Sequence, residues 1–224
     1  IKFPLWNEEN DTPDDPPPYG VMGWLEGDSL VSVYDRYNAY ALNPDGKSQP
    51  VILNYYDGRP KKQSFRYVRT DPEERYIIKG QKVLFRIFDE VTKKTALLKP
   101  PRKATIFGDN LFFENYSVSQ VVKAKNTVAD FIYVKENYQE SPDLYSIDVV
   151  GEEYKLSSIN PWQENYNWGT AELYKWKAFT GKMAEGVLYK PENFDPTKKY
   201  PLILYFYETH SNTLHSYMPP SPTG

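Results

Sequence analysis

The sequence predicts a mainly β protein: a partial β-propeller of about three blades over residues 1–160, followed by the first strands of an α/β domain over residues 161–224. Strand-turn-strand units recur with their first strands near residues 30, 83 and 131, a spacing of roughly 50 residues that suits propeller blades. The run PLILYFY (201–207) reads as a buried apolar strand between a Pro-Thr-Lys-Lys turn and a polar loop, the pattern by which a parallel sheet begins. Composition agrees: 20 Tyr, 11 Phe and 5 Trp favour half-buried pleated surfaces, while 19 Pro and 12 Gly supply frequent turns.

Taken in order, NEENDTPDDPPPYG (7–20) is acidic and proline-rich and is expected to cross the surface as an extended loop. LVSVYDRYNAYALNPDGKSQPVILN (30–54) holds two short apolar runs, a Pro-Asp-Gly turn and a third run. FIYVKENYQESPDLYSIDVVGEEYKLSSIN (131–160) repeats that order, with Phe131–Val134 answering Leu30–Val33, Asp143–Asp148 answering Ala39–Asn43 and Tyr154–Leu156 answering Val51–Leu53. Between them VLFRIFDEVTKKTALLK (83–99) is a third unit. A β-sandwich also has closely spaced short strands, but it lacks self-similarity at the blade length.

SINPWQENYNWG (158–169) breaks the repeat and reads as a linker, which sets the domain boundary near 160. Ala171–Trp176 and Met183–Tyr189 are expected to pair across the Phe-Thr-Gly-Lys turn. The chain opens Ile1-Lys2-Phe3 without an initiator Met, and few residues follow Glu208 to cover a sheet, so it reads as an internal piece of a larger protein.

Composition also excludes. With 40% apolar and 25% charged residues the chain is expected to build a globular core. A net charge of −3 without clustered basic residues argues against a nucleic-acid partner. The absence of Cys removes disulfides and thiolate metal sites. No apolar run is long enough to span a bilayer as a helix.

GVLYKPENFDPTKKYPLILYFYE (186–208) resembles the approach to the catalytic domain of the prolyl oligopeptidase family of serine peptidases, particularly its dipeptidyl peptidase IV-like branch. GWLEGDSLVSVYDRYNAYALNPDGK (23–47) and SPDLYSID (141–148) resemble its propeller blades. The resemblance implies a propeller set over an α/β-hydrolase domain, short peptide substrates, a Ser-Asp-His triad, no cofactor or metal, and a periplasmic or exported location. The nucleophile of such enzymes sits in a Gly-x-Ser-x-Gly elbow, with Asp and His later in the chain. That motif is missing, so nucleophile, base and acid are expected to be absent and the 224-residue chain inactive by itself.

Counted from Lys198-Lys199-Tyr200-Pro201, the resemblance assigns Tyr207 to the oxyanion hole, where a phenol donates one directed hydrogen bond to the developing charge. Glu-Thr-His after Tyr207 departs from the family's Gly-containing turn. An excised set of blades leaves its end faces bare, so self-association through them is expected.

Four other patterns have simpler readings. Asp71-Pro72-Glu73-Glu74-Arg75 offers adjacent carboxylates, but a Pro-led acidic cluster between strands is usually a solvated turn. Gly27-Asp28-Ser29-Leu30 spells a hydrolase tetrapeptide, yet neither His210 nor His215 follows an Asp by three residues, so Asp28-Ser29 reads as a turn into the next strand. His210, His215 and Glu208 lack the spacing of a zinc site and read as loop residues. Trp162, Tyr166, Trp168 and Trp176 lack flanking basic residues for nucleic-acid stacking and read as linker packing on the propeller rim. The competing functional reading is a free-standing propeller-type binding module without catalysis.

Overall fold

The computed structural model describes residues 1–81, 83–98, 110–125, 130–148, 151–206 and 209–220. Among the described residues it is mainly β, with three four-stranded antiparallel sheets, one two-stranded sheet and no closed barrel. Among the described residues helix is confined to four short 3-10 turns. None is long and apolar enough to cross a membrane.

The first sheet is β1 (Val21–Trp24), β2 (Val31–Tyr34), β3 (Ala39–Leu42) and β4 (Val51–Ile52). The second is β5 (Gln63–Tyr67), β6 (Phe85–Asp89), β7 (Thr95–Leu98) and β8 (Asn110–Glu114). The third is β9 (Ser117–Lys123), β10 (Phe131–Glu136), β11 (Asp143–Ile147) and β12 (Glu153–Lys155). In each, neighbouring strands follow one another along the chain.

The three units read from the sequence therefore lie in three separate sheets, but their apparent starts mark the second strand of each, β2, β6 and β10. The reason is burial. A second strand is flanked on both edges and shows clean alternation: Phe85, Ile87 and Asp89 are buried in β6, and Phe131, Tyr133 and Lys135 in β10. β1 has no buried residue, so it carries little apolar signal.

By internal contacts the chain forms two compact units, residues 1–114 with 121–123, and residues 115–120 with 124–224. In the first, Tyr34 and Ala39 of the first sheet pack against Phe65, Phe85, Ile87 and Ala96 of the second. The rings meet edge-on, Phe65 with Phe85 at 6.0 Å and Tyr56 with Phe65 at 4.9 Å. The backbone N–H of Tyr67 donates to the Tyr34 hydroxyl at 3.0 Å, tying the two sheets together.

In the second unit, Tyr133 and Ile147 are the buried centre of the third sheet, and Tyr133 stacks on Tyr145. Lys135 is buried but paired with Glu153 at 2.7 Å, which offsets the cost of removing its charge from water. Beyond the linker, β13 (Thr170–Lys177) and β14 (Met183–Lys190) form the expected hairpin, with Thr170 opposite Lys190 and Lys177 opposite Met183. Gly181 turns it at φ 83°, a conformation that costs glycine nothing.

One local expectation is overturned. The run 201–206 has no regular secondary structure and joins no sheet among the described residues, and Leu202 to Phe206 are 71–92% exposed. Apolar sequence makes a strand buried only when other strands and a covering layer lie against it, and no described strand pairs with this one.

Candidate functional site

Tyr207, the oxyanion candidate, and Glu208 lie outside the described residues. What is described is the segment leading to them and the turn beyond, where the Tyr205 ring meets His210 edge-on at 5.1 Å. His210 opens the 3-10 turn His210–Thr213.

The concave feature of the second unit is a cleft of about 350 Å³ where three segments converge: the β10–β11 turn with Tyr138, the end of the linker with Asn167 and Gly169, and the end of β14 with Tyr189 and Lys190. The convergence depends on Gly169. A Cβ there would collide with the Lys190 carbonyl oxygen, so only glycine lets the linker lie this close to β14.

Aromatic packing builds the wall. Tyr138 and Tyr189 lie 5.0 Å apart, and Trp168 stacks nearly parallel on Tyr217 at 5.4 Å. The Trp168 indole N–H donates to the Tyr138 carbonyl, and the Tyr189 hydroxyl donates to the Met218 sulfur at 3.1 Å. Burial raises the pKa of both Tyr138 and Tyr189, and Tyr189 is raised further by the neighbouring Tyr138, so both stay protonated donors at neutral pH.

Glu136, next to this turn, is also pushed up by burial; it accepts from the Tyr217 backbone N–H at 3.3 Å. Lys190 is held by Glu172 at 2.7 Å. The residues lining the cleft include no Ser, Thr or His. Such a cleft offers aromatic faces, amides and phenols to a ligand, with the charged groups of Lys190 and Glu192 at its edge.

The densest polar cluster is in the first unit, at the β2–β3 turn. Asp35 is fully buried and spends its carboxylate on four donors: the backbone N–H groups of Tyr37 (2.8 Å) and Asn38 (2.6 Å), the Tyr40 hydroxyl (3.0 Å) and Arg59 (3.2 Å). Arg59 also holds both carboxylate oxygens of Glu8. Arg36 holds Glu90 in the same two-point manner and reaches Glu9 at 2.6 Å.

The Tyr37 ring lies beside both guanidinium groups, at 5.1 Å from Arg36 and 4.9 Å from Arg59. Burial, together with the hydrogen bond to Glu90, pushes the Tyr37 phenol up to about 12. The hydrogen bond from Arg59 holds the Glu8 carboxyl below its usual range. Asn38 and Asn54 extend the cluster: Asn54 donates to the Asn38 side-chain oxygen at 2.8 Å, which also accepts from the Gly58 backbone N–H. These carboxylates accept from guanidinium, hydroxyl and backbone donors, so the cluster fastens the acidic loop 7–20 to the sheets.

The remaining sequence candidates separate. The Ser29 hydroxyl donates to the Glu26 carbonyl at 3.4 Å, in a turn where Asp28 takes φ 54° just before β2. Asp71 caps its own turn by accepting from the Glu73 N–H at 2.9 Å, and Glu74 accepts from the Tyr67 hydroxyl and from Gln81, so these acids serve local structure. Of the four aromatics in and after the linker, Trp168 packs on the third sheet's turn, Trp176 of β13 stacks on Tyr174, and Trp162 and Tyr166 of the linker face solvent.

Sequence reasoning missed the Asp35 cluster and the aromatic cleft. The available signals were the polar punctuation of YDRYNAY (34–40) and NYYDGRP (54–60), where Asp, Asn and Arg interrupt aromatic runs at strand ends. No protein-family model matches the chain, and no curated protein matches it either.

Proposed function

We propose that this chain belongs to a serine peptidase of the prolyl oligopeptidase family, dipeptidyl peptidase IV-like branch, and supplies the last propeller blades and the opening strands of its α/β-hydrolase domain. The whole enzyme hydrolyses short peptides in a periplasmic or exported setting, with Ser attacking, His as general acid and base, and Asp orienting the His. It needs no cofactor or metal. In this chain the sheets form the wall of the substrate cavity and Tyr207 donates to the oxyanion. The three consecutive meander sheets, two of them stacked face to face, support the blade assignment.

The observation that carries the reading is the state of 201–206. A completed hairpin is followed by a ten-residue crossing and then by a run of exposed apolar residues with no described strand beside it. An apolar sequence of that kind suits the interior of a parallel sheet, where neighbouring strands are non-consecutive and helices cover both sides.

The test is the coding sequence past residue 224. It is expected to encode a Gly-x-Ser-x-Gly elbow followed by Asp and His, and the protein it encodes is expected to be labelled by a fluorophosphonate on that Ser. A coding sequence that closes without the elbow rejects the peptidase and favours the second reading, a propeller-type binding module. The observation on that side is the cleft beside Tyr138 and Tyr189, whose lining has no Ser, Thr or His.

A further inference from the structure

The hairpin of β13 and β14 ends in a turn that is apolar and basic at once. The Gly181 N–H donates to the Ala178 carbonyl at 2.9 Å and the Ala178 N–H to the Lys182 carbonyl at 2.8 Å, which sets Phe179 and Thr180 at the corner. Phe179 is fully exposed, and Met183, the first residue of β14, is 68% exposed. Lys177, opposite Met183, and Lys182, in the turn, are exposed as well.

Neither lysine forms an ion pair among the described residues. No Asp or Glu occurs from Leu173 to Ala184, and the flanking acids are already taken, Glu172 by Lys190 at 2.7 Å and Glu185 by Lys175 at 3.6 Å. The tip therefore carries uncompensated positive charge on a chain whose net charge is −3.

We propose that this tip docks the chain on a membrane surface of anionic lipid, with Phe179 inserted at the headgroup boundary and Lys177 and Lys182 on lipid phosphates. Size selects a bilayer over a protein. A stable protein interface buries ~800 Å² per partner, whereas a Phe side chain offers on the order of 150–250 Å². A bilayer takes up a single side chain, and an apolar anchor beside basic residues is the two-part signal that holds a protein at a membrane surface. The lysine stems lie along the boundary while their ammonium groups reach phosphate. Charge also orients the approach, because an anionic surface attracts the tip and repels the acidic remainder. The docking needs nothing of the peptidase reading, and it is measured without substrate.

The test is co-sedimentation of the 224-residue chain with vesicles in ~0.1 M salt. Binding is expected to vesicles of phosphatidylglycerol mixed with phosphatidylcholine, with an association constant on the order of 10⁴ M⁻¹, and not to phosphatidylcholine alone. It should disappear at ~1 M salt, where the Debye length is ~3 Å. Phe179→Ala is expected to weaken binding at least ~10-fold, and Lys177→Gln with Lys182→Gln ~30-fold. Thermal midpoints should not change, because these side chains are exposed. Lys47→Gln with Lys198→Gln removes the same charge elsewhere and is expected to leave binding unaltered. The exposed run 201–206 is intact in every variant, so adhesion through it would be indifferent to all of them. No binding to the mixed vesicles overturns the proposal, as does equal binding to phosphatidylcholine alone. Loss with either lysine pair, or with the tip lysines but not with Phe179, means adsorption by net charge and overturns it too.

Discussion

Arg59 grips Glu8 through both carboxylate oxygens, Nη1 to Oε2 at 3.0 Å and Nη2 to Oε1 at 2.7 Å, across 51 positions of sequence. That two-point contact holds the acidic loop to the turn after the first sheet, while the other face of the guanidinium lies 3.8 Å from the Phe3 ring. Lysine keeps the charge but reproduces neither the fork nor the flat stacking surface. Arg59→Lys is therefore expected to lower stability by about 1–2 kcal/mol and to open residues 7–20 to limited proteolysis. An unchanged denaturation midpoint together with an unchanged cleavage pattern would show that the contact is incidental.

The same pair sets a pH dependence. Because Arg59 depresses the Glu8 carboxyl in the folded chain, its contribution is fully present above the unfolded value of about 4.3 and is lost as pH falls through the folded value. Glu8→Gln should flatten the acid limb of the stability curve below about pH 4.3. An acid limb identical to that of the parent assigns acid unfolding to other carboxylates, such as Asp89 and Asp143, whose pKa values are also lowered.

Asp35 is the buried centre of its cluster, and its removal strands four donors, Arg59 among them. Asp35→Ala is expected to cost about 3–5 kcal/mol, the range for breaking a buried charge pair on one side. Asp35→Asn keeps one acceptor oxygen and should cost less. Urea midpoints of the two variants check the order, and equal losses would remove the carboxylate charge from the explanation.

Gly169 allows the linker to lie against β14, and any Cβ there meets the Lys190 carbonyl. Gly169→Ala should destabilise the second unit by about 1–3 kcal/mol, the usual range for overpacking. It should also separate Trp168 from Tyr138, visible as a red shift in tryptophan emission. Unaltered emission and midpoint would mean the two backbones part without cost.

For the peptidase reading, the 224-residue chain should neither hydrolyse proline-containing dipeptide substrates nor label with a fluorophosphonate, and labelling of Ser29 would overturn it. In the whole enzyme, Tyr207→Phe should lower kcat by about 10²–10³, or roughly 2.7–4 kcal/mol, with much less change in KM, because the bond forms mainly in the transition state. A kcat within about threefold of the parent removes Tyr207 from the mechanism.

Features that depend on neighbours along the chain were readable from residue order. Alternation at Phe85, Ile87 and Phe131, Tyr133 reports a strand with one buried face, and Phe179-Thr180-Gly181-Lys182 reports a hairpin turn, since both signals are complete within a few residues. The repeat was legible for the same reason, though it was framed one strand late; in the first sheet that is because β1 has no buried residue. Which distant groups meet was set by the folded chain. Arg36 finds Glu90 across 54 positions, and the cleft joins Tyr138, Gly169 and Tyr189 from three separate segments. It also decided that 201–206 stands bare, because apolar composition specifies a preference for burial while neighbouring strands supply the burial itself.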